Sequence, residues 1–190
     1  MNWLITGGCG FLGKNLIKYL SKNHPTFRIR VIDNLSVGQR KDLLYAVDKF
    51  DEVLIGDADW SSPNMQLIVG DIMNESLAIE VTKEADVVVH FAANTGVGPS
   101  VENPRMDCTT NVIGTFNYLD GCRINNVGRF VFASSGAPVG ECKPPIHEEL
   151  AAHPVSPYGA SKLAGEGYCS AYYRSFGLET VALRFGNVYG

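Results

Sequence analysis

The chain has 190 residues, 45% of them hydrophobic and 19% charged, with a formal net charge of -4. That length can bury one sizeable core, and the acidic balance argues against nucleic acid or an anionic membrane surface as the main partner, since both favour a basic face. Five cysteines (Cys9, Cys108, Cys122, Cys142, Cys169) form no C-x-x-C pair, and His24, His90, His147 and His153 are scattered without ligand spacing; no disulfide framework and no metal are expected, and a reducing, cytoplasmic setting fits.

The opening residues MNWLITGGCGFLG are apolar but carry no basic stretch, so they do not read as a signal peptide. No run of about 18 apolar residues follows that could span a membrane. Residues 3–5 read as a buried strand. Residues 11–20 read as a helix with Leu12, Leu16, Ile17 and Leu20 on its apolar side. A second strand spans 29–32 and ends at Asp33-Asn34. Residues 37–65 are the least legible stretch, with 42–50 read as helical and the GDADWSSPN run at 56–64 as loop. A third strand spans 67–69 and ends at Gly70-Asp71, and a fourth spans 87–91. A long helix covers 105–125 after Pro104. A fifth strand spans 130–133 and ends at Ser134-Ser135, a second long helix covers 158–176, and a sixth strand spans 180–183.

Runs such as VVVHF and RFVFA are apolar without alternation, the signature of strands covered on both faces. Strands alternating with helices predict an α/β fold, a doubly wound parallel sheet of six or seven strands. Ligands in such sheets bind outside the C-terminal strand ends. Thr6, Asp33, Asp71, Asn94 and Ser135 all fall there, which points to one site.

Thr6-Gly7-Gly8-Cys9-Gly10-Phe11-Leu12-Gly13 links the first strand to the first helix. A side chain in that turn would block a pyrophosphate, and backbone N–H groups at a helix start attract one. The glycines satisfy both G-x-G-x-x-G from Gly8 and G-x-x-G-x-x-G from Gly7. Asp33 ends the next strand, where a carboxylate accepts from a ribose 2′-hydroxyl and repels a 2′-phosphate, favouring NAD over NADP. Arg40 and Lys41 follow closely and leave NADP open.

Tyr158 and Lys162 stand four apart on a predicted helix and share a face. A phenol has a pKa of about 10. A lysine cation ~5 Å away at an effective dielectric near 20 contributes ~3 kcal/mol, enough to pull it down by ~2.4 pH units. Ser135, at the end of the fifth strand, can hydrogen-bond a substrate hydroxyl and exchange a proton with Tyr158.

The segments T-G-G-x-G-F-L-G, D-N-L-S-x-G, G-D-I, H-F-A-A, N-V-x-G-T, S-S-x-x-x-x-G, S-P-Y-G-x-S-K and R-F-x-N-V-Y-G occur in that order, from Asn2 to Gly190. Together they resemble the extended short-chain dehydrogenases/reductases, and within them the nucleotide-sugar epimerases and dehydratases. The resemblance implies NAD as cofactor and a nucleotide sugar as substrate. Gly7, Gly10, Phe11, Leu12 and Gly13 would hold the pyrophosphate, Asp33 and Asn34 the adenosine ribose, and Asp71 and Ile72 the adenine. Phe91, Ala92 and Ala93 would line the cofactor channel, Asn111 would support the hydrogen-bond network, and Phe185 would flank the nicotinamide. Ser135, Tyr158 and Lys162 would be the catalytic set, with Tyr158 and Lys162 also touching cofactor. Asn94, Ser135 and Asn187 would meet substrate. It also implies a homodimer through the 105–125 and 158–176 helices, and a small substrate-binding domain after residue 190.

Two departures from the family pattern stand out. Pro138-Val139-Gly140 replaces the usual Val-Tyr-Gly. Gly136 and Ala137 stand where dehydratases carry acids, so epimerisation at C4 through a transient 4-keto sugar is expected rather than dehydration. The same residues would also serve a nucleotide-sugar reductase, and a non-catalytic dinucleotide-binding protein would keep the glycine loop alone.

Overall fold

The computed structural model describes residues 1–189. Seven parallel strands form one sheet in the order β3-β4-β2-β1-β5-β6-β7. In chain order the elements are β1 (Asn2–Thr6), α1 (Phe11–Asn23), β2 (Arg28–Asp33), α2 (Arg40–Leu43), β3 (Phe50–Glu52), β4 (Met65–Val69), α3 (Glu75–Val81), β5 (Val87–His90), α4 (Val97–Glu102), α5 (Pro104–Cys108), α6 (Gly114–Ile124), β6 (Arg129–Ser135), α7 (Pro157–Phe176) and β7 (Glu179–Phe185). The chain builds outward from β1 to β3, returns through β4, and starts again on the other side of β1 with β5. The loops after β1 and β5 therefore diverge, opening the crevice in which such sheets bind ligands.

Strand period two sends neighbouring residues to opposite faces. Leu4 joins a cluster with Ile68, Tyr118, Phe130 and Phe132, while Ile5 joins one with Ile17, Leu20 and Val31. Both residues are fully buried, each worth about 1.5–3 kcal/mol. The sheet is thus covered on both sides, as the unbroken apolar runs imply. β7 is the exception. Thr180 and Arg184 reach α7, donating to the Cys169 carbonyl and to Glu166, whereas Val181 and Leu183 on the other face are 43% and 40% exposed.

The expected elements are present, with three corrections. In the 37–65 stretch the α-helix is confined to Arg40–Leu43, a short 3-10 turn follows at Ile55–Asp57, and Phe50 opens a strand that pairs with Met65–Leu67. Two short helices, α3 and α4, were not anticipated; α3 is seven residues long and is started by Asn74, whose side chain accepts from the Leu77 N–H at 3.0 Å. The 105–125 helix does begin beside Pro104, capped by Asn103, but a π turn at Thr109–Ile113 divides it into α5 and α6. Such turns rotate the following side chains relative to an unbroken α-helix, and they concentrate at functional sites.

Candidate active site

The glycine loop is built from backbone. Gly7 has φ 67°, its N–H donates to the Ile32 carbonyl at 2.7 Å, and a Cβ there would lie 2.7 Å from the Ala92 nitrogen. A Cβ on Gly13 would lie 2.5 Å from the Gly8 Cα, so Gly13 lets α1 start hard against the turn. Only glycine fits both positions. α3, α5 and α7 each have a side-chain N-cap (Asn74, Asn103, Ser156), whereas α1 begins at Gly10 with no side-chain cap and no acid in its first turn. The N–H groups at Phe11, Leu12 and Gly13 are thus left for an external acceptor, and the macrodipole favours an anion. The cradle fits a dinucleotide pyrophosphate.

Asp33 is buried at the end of β2. Its Oδ2 accepts from the Cys9 N–H at 2.9 Å and its Oδ1 from the Leu35 N–H at 2.9 Å. The carboxylate ties the glycine loop to the following turn and keeps further lone pairs on both oxygens. Asn34 donates to Asp71 Oδ2 at 3.0 Å, and the Met73 N–H donates to Asp71 Oδ1 at 2.9 Å, so the candidate ribose and adenine residues form one connected rim. The Ile72 side chain does not face that rim. It is buried in the core, where a Cβ on Gly114 would lie 2.6 Å from its Cδ1, leaving only its backbone for a ligand.

Across the switch point, Thr6 Oγ1 accepts from the Ala92 N–H at 3.1 Å and sits 2.9 Å from His90 Nδ1. Burial pushes the His90 pKa down to about 3, with the Lys162 charge adding to it, so the ring is neutral. Thr6 Oγ1 and His90 Nδ1 share one hydrogen bond. This pair holds the Phe91–Ala93 segment beside Gly7. Beyond it, the Asn94 N–H donates to Asn111 Oδ1 at 2.8 Å. Asn111 Nδ2 lies 2.9 Å from the Asn94 carbonyl, 3.0 Å from Asp107 Oδ1 and 3.1 Å from Ser161 Oγ. The π turn thus aims Asn111 at the helix that carries Tyr158.

That helix, α7, has strong ends. Ser156 accepts from the Gly159 N–H at 3.1 Å, Pro157 occupies the first turn, and Gly177 closes it at φ 74°. Its first two turns present Tyr158, half-buried, and Lys162, 4% exposed. Lys162 Nζ donates to the Ala133 carbonyl of β6 at 2.8 Å and lies 5.8 Å from the centre of the Tyr158 ring. Ser135, two residues further along β6, accepts from the Ala137 N–H at 3.2 Å, so its own proton is free to point outward. Burial pulls the Lys162 pKa from 10.5 to about 8, against the opposing pull of Asp107. Burial pushes Tyr158 above its usual 10, the Ser135 hydroxyl opposing and Asp107 adding to the rise. The direction is opposite to the depression expected from the lysine: desolvation of the phenol is the leading influence, and Lys162 is not among the groups that shift it.

The profile of the NAD dependent epimerase/dehydratase family matches residues 3–190. This chain belongs to that family. It is 36% identical over 190 residues to a Methanocaldococcus jannaschii protein provisionally named UDP-glucose 4-epimerase, a match covering 98% of this chain and 56% of that protein. It is 32% identical over 194 residues to dTDP-glucose 4,6-dehydratase of Mycobacterium tuberculosis, covering 100% of this chain and 54% of the relative. Among solved structures it is similar to the Thermus thermophilus UDP-glucose 4-epimerase in complex with NAD, with a TM-score of 0.83, 34% identity, and coverage of 100% of this chain and 56% of that one. The chain spans about half the length of these relatives.

Within this family member, the structure gathers Ser135, Tyr158 and Lys162 at one end of β6, with Asn94 and Asn111 alongside. Phe185 joins them through backbone, pairing with Ser135 in register and accepting from the Gly136 N–H at 3.0 Å. Asn187 lies exposed after β7, and no side-chain hydrogen bond ties it to that group among the described residues. Sequence reasoning missed Asp107 and Ser161, which connect Asn94 and Asn111 to α7. Asp107 stands four before Asn111, one helical turn away, and that spacing was the available signal.

Proposed function

We propose that this chain binds NAD and epimerises a nucleotide sugar at C4. The observation that carries the reading is the meeting of Ser135, Tyr158 and Lys162 at the C-terminal end of β6, in the same sheet whose β1 leads into the uncapped start of α1. Gly7, Gly10, Phe11, Leu12 and Gly13 hold the pyrophosphate through backbone, and Asp33 with Asn34 holds the adenosine ribose. When bound, NAD supplies the group that accepts hydride from C4 and gives it back. Tyr158 removes the proton of the C4 hydroxyl and later returns one to the 4-keto oxygen. Ser135 donates to that oxygen and orients it. Lys162, protonated, stabilises the phenolate and reaches the nicotinamide ribose. Its anchor on the Ala133 carbonyl aims it without further reorganisation.

Gly136 and Ala137 favour epimerisation over dehydration, since neither offers a carboxyl group to protonate a leaving hydroxyl. The exposed apolar side chains of α6 and α7 (Ile124, Tyr168, Phe176) favour a homodimer through these helices. The test is a panel of UDP-, GDP-, CDP- and dTDP-sugars incubated with the protein and NAD, with products read by NMR because C4 epimers have equal mass. Interconverted epimers without net cofactor turnover support the reading. Net oxidation of reduced cofactor would make the protein a reductase, and a 4-keto-6-deoxy product would make it a dehydratase. Light scattering tests the dimer.

A further inference from the structure

Arg40 and Lys41 follow the β2 end, where a cation would suit a ribose 2′-phosphate, but Arg40 is already engaged. Its Nε donates to Glu52 Oε2 at 2.5 Å and its Nη2 to Glu52 Oε1 at 2.8 Å. Both oxygens of one carboxylate thus fill one edge of the guanidinium, in the paired geometry by which arginine also takes phosphate. Glu52 is the last residue of β3. The turn that carries Arg40 packs on the cofactor loop. A Cβ on Gly38 would lie 2.5 Å from the Cys9 carbonyl oxygen, and the Cys9 N–H is the group that donates to Asp33. Asp42, two residues beyond Arg40, holds Lys14 of α1 at 3.3 Å. Burial and the Asp33 and Asp42 carboxylates push the Cys9 thiol up to about 12, and the Arg40 charge opposes them, so the guanidinium lies within electrostatic reach of the loop.

We propose that Glu52 is a positioning residue for cofactor selection: its side-on ion pair denies a dinucleotide 2′-phosphate the guanidinium that the 38–42 turn brings to the glycine loop. The chain then selects NAD with two carboxylates rather than one. The proposal rests on the reading of Asp33 and Asn34 as the adenosine-ribose residues. Asp33 repels a 2′-phosphate directly, whereas Glu52 acts through Arg40. To take the phosphate, Arg40 must either leave Glu52 or bring that carboxylate beside a group of charge about −2. The first course breaks a charge-assisted pair, and the second adds like-charge repulsion. NAD carries an uncharged 2′-hydroxyl and meets neither penalty. Arg40 and Glu52 are 53% and 42% exposed, and pairs so exposed add little to stability. Neutralising Glu52 should therefore leave the fold intact and change what the guanidinium can bind.

The test is calorimetric titration of NAD and NADP into the wild-type protein, Glu52→Gln, and Glu52→Gln combined with Arg40→Gln. Glutamine keeps the length of the glutamate side chain and loses its charge. NADP should bind Glu52→Gln about tenfold more tightly than wild type, roughly the worth of one charge-assisted hydrogen bond. NAD affinity should stay within about twofold, since an exposed pair away from the 2′-hydroxyl is removed. The NADP gain should vanish in the double variant, which keeps Lys41 and so separates the two cations. Unchanged NADP affinity in Glu52→Gln overturns the proposal, as does a gain that persists without Arg40 or that NAD shares equally. If Glu52→Gln does not fold, Glu52→Ala is titrated in its place with the same expectation; failure of both to fold makes Glu52 a structural residue of β3 and also overturns it. A wild-type protein that binds neither dinucleotide removes the proposed cofactor site and this inference together. NAD binding with an NADP affinity indifferent to Glu52 removes this inference alone.

Discussion

The two halves of the sheet solve different problems. On the β1–β4 side, polar groups at the crevice are tied down, mostly by backbone: both oxygens of Asp33 and Oδ1 of Asp71 accept from backbone N–H groups, Asp71 Oδ2 accepts from the Asn34 side chain, and the glycine turn is fixed by steric fit. On the β5–β7 side, Lys162 and Asp107 are buried, and neither forms a salt bridge among the described residues. Of the five buried side-chain atoms lacking a hydrogen bond among the described residues, four (His90 Nε2, Asp107 Oδ2, Tyr118 Oη and Arg184 Nη1) lie on β5–β7 or the helices beside them, and only Trp3 Nε1 lies on the other side. A surface that only binds can be fully satisfied before its ligand arrives. A surface that moves protons must keep groups whose preferred state changes, and it carries that cost in the folded protein.

The largest expected effect follows directly from that division. Tyr158→Phe should lower turnover by ~10²–10⁴, the usual contribution of a general acid–base group, and leave NAD affinity within a few-fold. Steady-state kinetics and calorimetry on the same preparation check both. If turnover stays near normal, or NAD affinity falls as steeply as turnover, the separation of binding from chemistry breaks down.

Lys162→Met sharpens the comparison from the stability side. The folded-state pKa of Lys162 is about 8, against an ordinary value of 10.5. Between those values the unfolded chain binds more protons than the folded one, so stability rises with pH across that window, and below it the full penalty is present. Methionine keeps the apolar stem and removes the charge. It should therefore raise unfolding free energy at pH 7 by about 1–3 kcal/mol, with the gain shrinking as pH approaches the ordinary lysine value, while NAD affinity falls. Urea unfolding at both ends of the window tests this. A destabilised variant at pH 7 would mean that the Ala133 hydrogen bond outweighs burial.

The sequence exposed one of these halves far better than the other. Glycines at 7, 10 and 13 and an acid at 33 are legible because backbone geometry at a pyrophosphate leaves few alternatives. Tyr158 and Lys162 were legible as a pair, but their electrostatics were not: a Coulomb estimate at fixed distance predicts a lowered tyrosine, and the packing of α7 against β6 buries it instead. β3 is three residues of Phe-Asp-Glu, a strand only because β4 lies beside it. α3 is too short for periodicity to reveal, and Asp107 looks like any helix-surface acid until the π turn and α7 enclose it.

A smaller effect is expected at Asp33. Asp33→Asn keeps the shape, loses the charge, and turns one acceptor for a backbone N–H into a donor. NAD affinity should fall by about tenfold, roughly the worth of one charge-assisted hydrogen bond, and the preference over NADP should narrow. Titration of both dinucleotides tests it. An unchanged preference would show that the β2 end does not read the ribose.

The smallest effect compares one cap in each half. Asn74→Ala removes the acceptor for the Leu77 N–H at the start of α3, and Ser156→Ala removes the acceptor for the Gly159 N–H at the start of α7. Each should cost about 1 kcal/mol of stability, because each leaves one helix N–H without its partner. Their functional consequences should differ. Asn74 follows the Asp71–Met73 turn, which is held by its own backbone bonds to Asp71, so NAD affinity should change by less than about threefold, a fraction of the cap's own worth. Ser156 stands two residues before Tyr158, whose carbonyl accepts from Ser161 Oγ at 3.0 Å, and fraying there moves the phenol relative to Ser135. Turnover should drop further than stability alone explains, with NAD affinity little altered. Urea unfolding, calorimetry and kinetics on the two variants separate the cases. Equal functional losses would mean that the two halves respond alike, and that the contrast in their hydrogen bonding has no bearing on how they work.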